Sequence, residues 1–178
     1  MNITVFCSAN ELDERYTKPA REFARLLGAH GHTLVWGGSN AGLMGVVADE
    51  VRAAGGRLVG VNVGMLSHRT YQDADELVMT GDLAERKAVL LARADAVVVL
   101  VGGLGTLDEV TEVVELKKHG LHIKPIVLLD TDGFFEGLRT QLQRMETEGF
   151  LPRALDSLVR FATDGAEVLS YLEDSSSA

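Results

Sequence analysis

Cysteine is nearly absent: the 178-residue chain has one, Cys7. A single thiol excludes an internal disulfide and a Cys-rich metal site. It fits a reducing compartment, so a cytoplasmic location is expected. Basic residues are also few, 17 against 26 acidic, giving a formal charge of −9. No Lys/Arg-rich run occurs. A nucleic-acid backbone needs several basic phosphate contacts, so nucleic-acid binding is not expected. Long hydrophobic runs are missing too. The longest, Ala94 to Leu104, is interrupted by Asp95 and contains glycines. A bilayer span takes ~20 residues, so no membrane span is expected. The N-terminal region has no basic stretch followed by a long apolar one, and no signal peptide is read there. Three prolines against nineteen glycines point to tight turns rather than disorder.

The length suits one domain with a sizeable core, read here as residues 1–173. The polar end, 174–178, reads as a frayed tail. Short apolar runs alternate with helical patterns. Strands are expected at Ile3 to Cys7, Thr33 to Trp36, Leu58 to Val63, Ala96 to Val101 and Ile126 to Leu129, with a weaker one from Leu158 to Ala162. They are β-branched and nearly continuously apolar, as strands buried on both faces should be. Helices are expected at Lys18 to His30, Leu43 to Ala54, Leu83 to Arg93, Leu107 to His119, Phe134 to Glu148 and Gly165 to Leu172. The alternation predicts an α/β fold: a Rossmann-like, doubly wound parallel sheet with helices on both faces. Ligands of such sheets bind beyond the C-terminal strand ends.

Two glycine-rich loops fall at such ends. The first, Gly37 to Gly45 (GGSNAGLMG), follows Trp36 and opens a helix. Its glycines Gly37, Gly38, Gly42 and Gly45 let bare N–H groups approach a ligand, and the helix start favours a phosphate. A tight turn capped by Ser39 or Asn40 is the plainer reading. The spacing matches neither the dinucleotide fingerprint nor a P-loop. The second loop, Val101 to Glu109 (VGGLGTLDE), follows the most hydrophobic strand. Thr106 and Glu109 are spaced as a capping box, which alone would explain both. Alternatively Gly102, Gly103, Gly105 and Thr106 hold a phosphate and Glu109 faces the cleft, ionised by its nearness to the helix start.

A third stretch, Asp82 to Lys87 (DLAERK), places Arg86 and Lys87 near a helix start, where cations oppose the dipole unless an anion is near. Either they form a solvated face, or a guanidinium reaches into the cleft for phosphate or ribose oxygens.

In combination, G-G-x-x-A-G-L-M-G, then E-R-K-A, then G-G-L-G-T-L-D-E resemble the Lonely Guy family, often mislabelled as lysine decarboxylases. The resemblance runs from Val5 through Phe150. It implies a Rossmann-like dimer that hydrolyses the N-glycosidic bond of nucleoside 5′-monophosphates, cytokinin precursors included, and needs no metal or redox cofactor. Matched by position, it places the catalytic arginine at Arg86, with Lys87 beside it, and the catalytic glutamate at Glu109. The phosphate turn falls on Gly102, Gly103, Gly105 and Thr106, and the helix-opening glycines on Gly37, Gly38, Gly42 and Gly45. Departures from the family pattern occur at Ser39, Leu83, Ala84, Val101 and Glu115 to Lys118. Glu115 is expected near the base end of the pocket, so the identity of the base stays open.

N-glycosidic cleavage builds positive charge on the ribose. A carboxylate nearby stabilises it and orients water, the role expected of Glu109. Arg86 stays protonated, so it would hold substrate oxygens rather than act as a base. Glu112, one helical turn from Glu109, either orients it or, as the plainer reading, forms a solvated face; Cys7, at a strand end where a reactive thiol could sit, is read as a small buried residue. His30, His32, His68, His119 and His122 show no metal-ligand spacing with nearby acids. No cofactor signature surrounds any lysine, so lysine decarboxylation is not expected. A nucleotide-binding sensor without turnover and a transferase of ribose 5-phosphate remain as rival readings.

Overall fold

The structure, a computed structural model, describes residues 1–176. Seven strands form one sheet, β1 (Asn2–Phe6), β2 (Thr33–Trp36), β3 (Arg57–Val63), β4 (Glu76–Thr80), β5 (Ala96–Val99), β6 (Ile126–Leu129) and β7 (Arg160–Ala162). The order is β4-β3-β2-β1-β5-β6-β7, and every pairing is parallel. Seven helices connect them: α1 (Glu14–Ala29), α2 (Gly42–Ala53), α3 (Leu83–Arg93), α4 (Leu104–Lys118), α5 (Glu136–Thr147), α6 (Leu155–Leu158) and α7 (Gly165–Ser176). This is the expected α/β, doubly wound parallel arrangement.

The two faces follow from alternation along the strands. Ile3, Val5, Leu34 and Trp36 pack with Phe23 and Leu27 of α1, Leu43 and Val47 of α2, and Leu172 of α7. Phe6, Val35, Val97 and Val99 pack the other way, with Leu90 of α3 and Val110 and Val113 of α4. Both faces are covered, which is why the central strands read as unbroken apolar runs.

Three expectations shift. Strand β4 has no counterpart among them. It is an edge strand with Leu77 and Met79 exposed, so it lacks the continuous apolar signature. Helix α1 starts before the expected Lys18, because the Asp13 carboxylate accepts the Arg15 N–H at 2.9 Å and caps it there. Pro19 therefore lies inside the helix rather than at its start. Helix α7 continues to Ser176, three residues into the expected tail. Ser177 and Ala178 lie outside the described residues.

The sheet order reverses between β1 and β5, both of which run on in parallel pairing past their ends. Leu100 N–H donates to Phe6 O and Ser8 N–H donates to Val101 O. A crevice at the C-terminal edge of such a reversal is where an open α/β sheet binds ligands.

Candidate active site

A cavity of about 340 Å³ opens at this reversal. Its walls come from the segments after β1 (Cys7 to Asn10), β2 (Gly37, Ser39) and β5 (Gly103 to Thr106), together with Arg86 and Glu109. Two of the three sequence motifs therefore meet in one place through the loops, and the third reaches it through a single side chain.

Helix α4 begins at Leu104 with Gly103 as its N-cap, and no side chain caps it. Thr106 is consequently the third helical residue rather than the cap, and the expected Thr106/Glu109 capping box does not form. Among the described residues the amides of Leu104, Gly105 and Thr106 have no acceptor. They are first-turn donors that the helix itself cannot satisfy. Free amides plus the positive end of the dipole suit an anion. A Cβ on Gly102 would run into the buried Thr106 hydroxyl, so only glycine fits beneath it.

The capping box lies elsewhere. Asp82 Oδ1 accepts Glu85 N–H at 2.8 Å, and Glu85 Oε2 reaches back to Gly81 N–H at 2.6 Å. This starts α3 at Leu83 and sets Arg86 one turn in, pointing under the sheet edge. The Arg86 side chain is nine-tenths buried. Its Nε donates to Val61 O at 2.9 Å and its Nη1 to Glu109 Oε1 at 3.3 Å. The anionic partner that the sequence left open is thus Glu109.

Glu109 is the sixth residue of α4, beyond the turn where the dipole acts strongly. Only 7% of it is exposed. Burial pushes its carboxyl up to about 7, while the Arg86 guanidinium pulls the other way. The expectation of a fully ionised Glu109 at neutral pH is corrected accordingly. Desolvation outweighs the pull of the Arg86 salt bridge. A carboxyl poised near neutrality can hold or release a proton at working pH.

The first glycine loop is packed closely against its neighbours, with Gly37 in the cavity wall. Leu43 N–H donates to Asn10 O at 3.2 Å and Met44 N–H to Ser8 O at 3.1 Å. Two of the amides at the start of α2 are thus already taken by the loop after β1. The glycines also serve packing. A Cβ on Gly37 would strike Arg86 Nη2, one on Gly42 the Ala9–Asn10 backbone, and one on Gly45 Asn40 O. Gly38 and Gly42 also have φ of +66° and +52°, which side chains rarely adopt. Gly37 therefore makes room for the guanidinium, and Gly42 and Gly45 let α2 dock against the cavity wall.

Lys87 and Glu115 stand apart from this cavity. Lys87 Nζ bonds Asp108 Oδ2 at 2.9 Å and also contacts Glu112. Those two carboxylates satisfy it, and Glu112 is tied rather than freely solvated. Glu115 bonds Lys118 Nζ at 2.6 Å and His119 Nε2 at 2.8 Å on the opposite side of α4. Cys7 is buried, and desolvation followed by the Glu109 charge pushes its thiol far up, which disqualifies it as a nucleophile. Sequence reasoning missed Ser8, Asn10, Asn62 and Arg69, which line the same cavity. Arg69 ends a short 3-10 helix after β3 (Gly64–Arg69), and its main chain accepts Asn40 N–H at 2.8 Å. No periodicity marks such a stretch, so no local signal could have found it.

The family described as "possible lysine decarboxylase" matches residues 44–172. A cytokinin riboside 5′-monophosphate phosphoribohydrolase of Mycobacterium tuberculosis is 41% identical over 160 residues, covering 88% of this chain and 86% of that one. A probable enzyme of the same name from Oryza sativa is 37% identical, over 97% of this chain and 77% of that one. The molybdenum cofactor binding protein of Rippkaea orientalis shares the fold, with a TM-score of 0.76 at 22% identity over 97% of this chain and 95% of that chain. On the identity and coverage of these relatives, and on a family match spanning most of its length, this chain belongs to the Lonely Guy phosphoribohydrolase family, the one carrying the lysine decarboxylase description.

Proposed function

We propose that the chain hydrolyses the N-glycosidic bond of a purine nucleoside 5′-monophosphate, of the AMP or cytokinin riboside type, to free base and ribose 5-phosphate. The observation that carries this is the buried Arg86–Glu109 pair in the same cavity as the open amides of α4. The phosphate rests on the amides of Leu104, Gly105 and Thr106, with the Arg69 guanidinium at hand. This sets the ribose toward Glu109. As the C1′–N bond breaks, its electron pair leaves with the base and positive charge grows on the ribose. The Glu109 carboxylate stabilises that charge and takes a proton from the water that adds to C1′; that proton passes on to the departing base nitrogen and the carboxylate is restored. Arg86 holds Glu109 in place and offers its remaining donors to ribose oxygens. No step calls for a metal or redox cofactor.

The open amides make the 5′-phosphate a strong requirement. AMP is expected to be turned over at least about a hundredfold faster than adenosine under identical conditions, the scale of losing one or two charge-assisted contacts. Released base, followed by chromatography, measures this. Equal turnover of the two would sink the phosphate assignment. Binding of AMP without any released base would favour the sensor reading. Base exchange that needs a second base would favour the transferase.

We propose a cytoplasmic location, which its single, buried cysteine supports. Among the described residues no helix is long and apolar enough to cross a membrane. A homodimer is proposed from the family. Of the apolar residues on α3 and α4, Leu90, Val110 and Val113 are consumed inside the subunit. Leu107, Leu121 and Ile123 remain exposed and could meet a second copy. Light scattering at micromolar concentration is expected to give twice the chain mass, and a clean monomer would end this proposal.

A further inference from the structure

At the other end of the sheet, where β2 begins, two histidines and a glutamate converge. His30 caps the end of α1, His32 lies in the turn before Thr33, and Glu173 comes from α7. His30 Nδ1 lies 2.8 Å and His32 Nε2 3.0 Å from the same oxygen, Glu173 Oε1. All three donor atoms lie within 4.8 Å of one another.

The geometry points to a divalent transition-metal site, of the zinc or cobalt class, built from His30 Nδ1, His32 Nε2 and the Glu173 carboxylate. Imidazole nitrogen and carboxylate oxygen are the donors such ions take, at about 2.0–2.2 Å each. Around a tetrahedral ion, ligand atoms stand about 3.3 Å apart. The two nitrogen–oxygen spacings need to open by only a few tenths of an ångström, and the two ring nitrogens already lie within 4.8 Å of each other. An ion would replace the two protons that the rings now share with Glu173, with the Nδ1 and Nε2 lone pairs turned inward.

The His32 ring is nearly buried, and its far nitrogen, Nδ1, lies 3.4 Å from the Met1 nitrogen. An ion on Nε2 leaves the ring proton on Nδ1, so the Met1 nitrogen must shed a proton, or turn away, when the ion binds. His30 and Glu173 line a small open cavity, which leaves the fourth position to water. The site lies far from the candidate active site, at the opposite edge of the sheet. A bound ion there would tie α7 to the α1–β2 turn and stabilise the fold, since it binds the folded chain and not the unfolded one.

The test uses chelator-treated full-length protein titrated with zinc chloride by calorimetry, then with cobalt chloride by visible absorption. One equivalent of zinc is expected to bind with a Kd below about 0.1 mM and to raise the Tm. His30→Ala and Glu173→Gln alter partly exposed positions, and circular dichroism checks that both fold. Each is expected to weaken zinc binding at least about tenfold, because each removes a direct ligand. Cobalt should give the intense visible bands of a low-symmetry, four-coordinate ion. No saturable binding below that limit, or a loss smaller than tenfold in either variant, overturns the site and leaves a hydrogen-bonded tie between α7 and the turn.

Discussion

Glu109→Gln is expected to lower kcat by about a hundredfold or more while the protein still folds and still binds nucleotide. A loss of that size is the scale of removing one electrostatic stabiliser from a water-excluded site. Glutamine is nearly isosteric with the protonated carboxyl that prevails below about 7, so the packing around Arg86 already accommodates a neutral group there. The pH dependence separates the catalytic role from a structural one. If the carboxylate is the working form, kcat/KM of the wild type falls as pH drops through about 7, and the variant loses that limb. The stability effect runs the other way. The folded carboxyl holds its proton more tightly than the unfolded one, so between about 4.5 and 7 the unfolded state binds fewer protons. Glu109 therefore subtracts stability as pH rises through that window. Melting curves from pH 5 to 8 should show a smaller decline for Glu109→Gln than for the wild type. A folded variant with near wild-type turnover would remove Glu109 from the mechanism and favour binding without catalysis.

Arg86→Ala is the second large effect. Its guanidinium holds Val61 O and Glu109 Oε1 at once, and both partners are left stranded by alanine. The unpaired carbonyl costs about 1–3 kcal/mol, which for a chain of this size lowers the Tm by roughly 2–10 °C. Activity is expected to fall further, by about a hundredfold or more, because the Glu109 carboxyl loses the cation that favours its charged form. The acid limb of kcat/KM should accordingly move to higher pH. Arg86→Lys returns the charge but not the planar fork, so it should restore the limb more fully than the rate. An Arg86→Ala protein with wild-type kcat/KM and an unmoved limb would show that the pair only supports the fold.

The difference between what was legible in the sequence and what was not tracks the range of the interactions involved. Central strands such as β2 and β6 announce themselves because each residue is buried, and burial leaves a contiguous apolar run. The half-exposed edge strand β4 leaves none. Both T-x-x-E at 106–109 and D-x-x-E at 82–85 carry capping-box spacing. Only the second one caps, because α4 starts three residues earlier than the pattern implied and takes Gly103 as its cap. The glycines of the two loops look alike on paper. One loop leaves its helix amides open, whereas the other surrenders two, those of Leu43 and Met44, to Asn10 and Ser8 carbonyls from a segment some thirty residues away.

By itself the sequence determined the α/β parallel class, the family and the two residues, Arg86 and Glu109, that the fold brings together. Those follow from periodicities and motifs that local chain chemistry writes directly. Tertiary structure alone decided which helix amides are taken, why a side chain on Gly37 would displace the Arg86 guanidinium, and that burial holds the Glu109 carboxyl near neutrality rather than fully ionised. It also decided that Lys87 and Glu115 belong to other ion pairs, and that His30 and His32 meet Glu173 across 141 residues or more of chain. The reason is the same in each case: hydrogen-bond occupancy, burial and charge pairing depend on which distant segments arrive at the same place, and no local pattern records that.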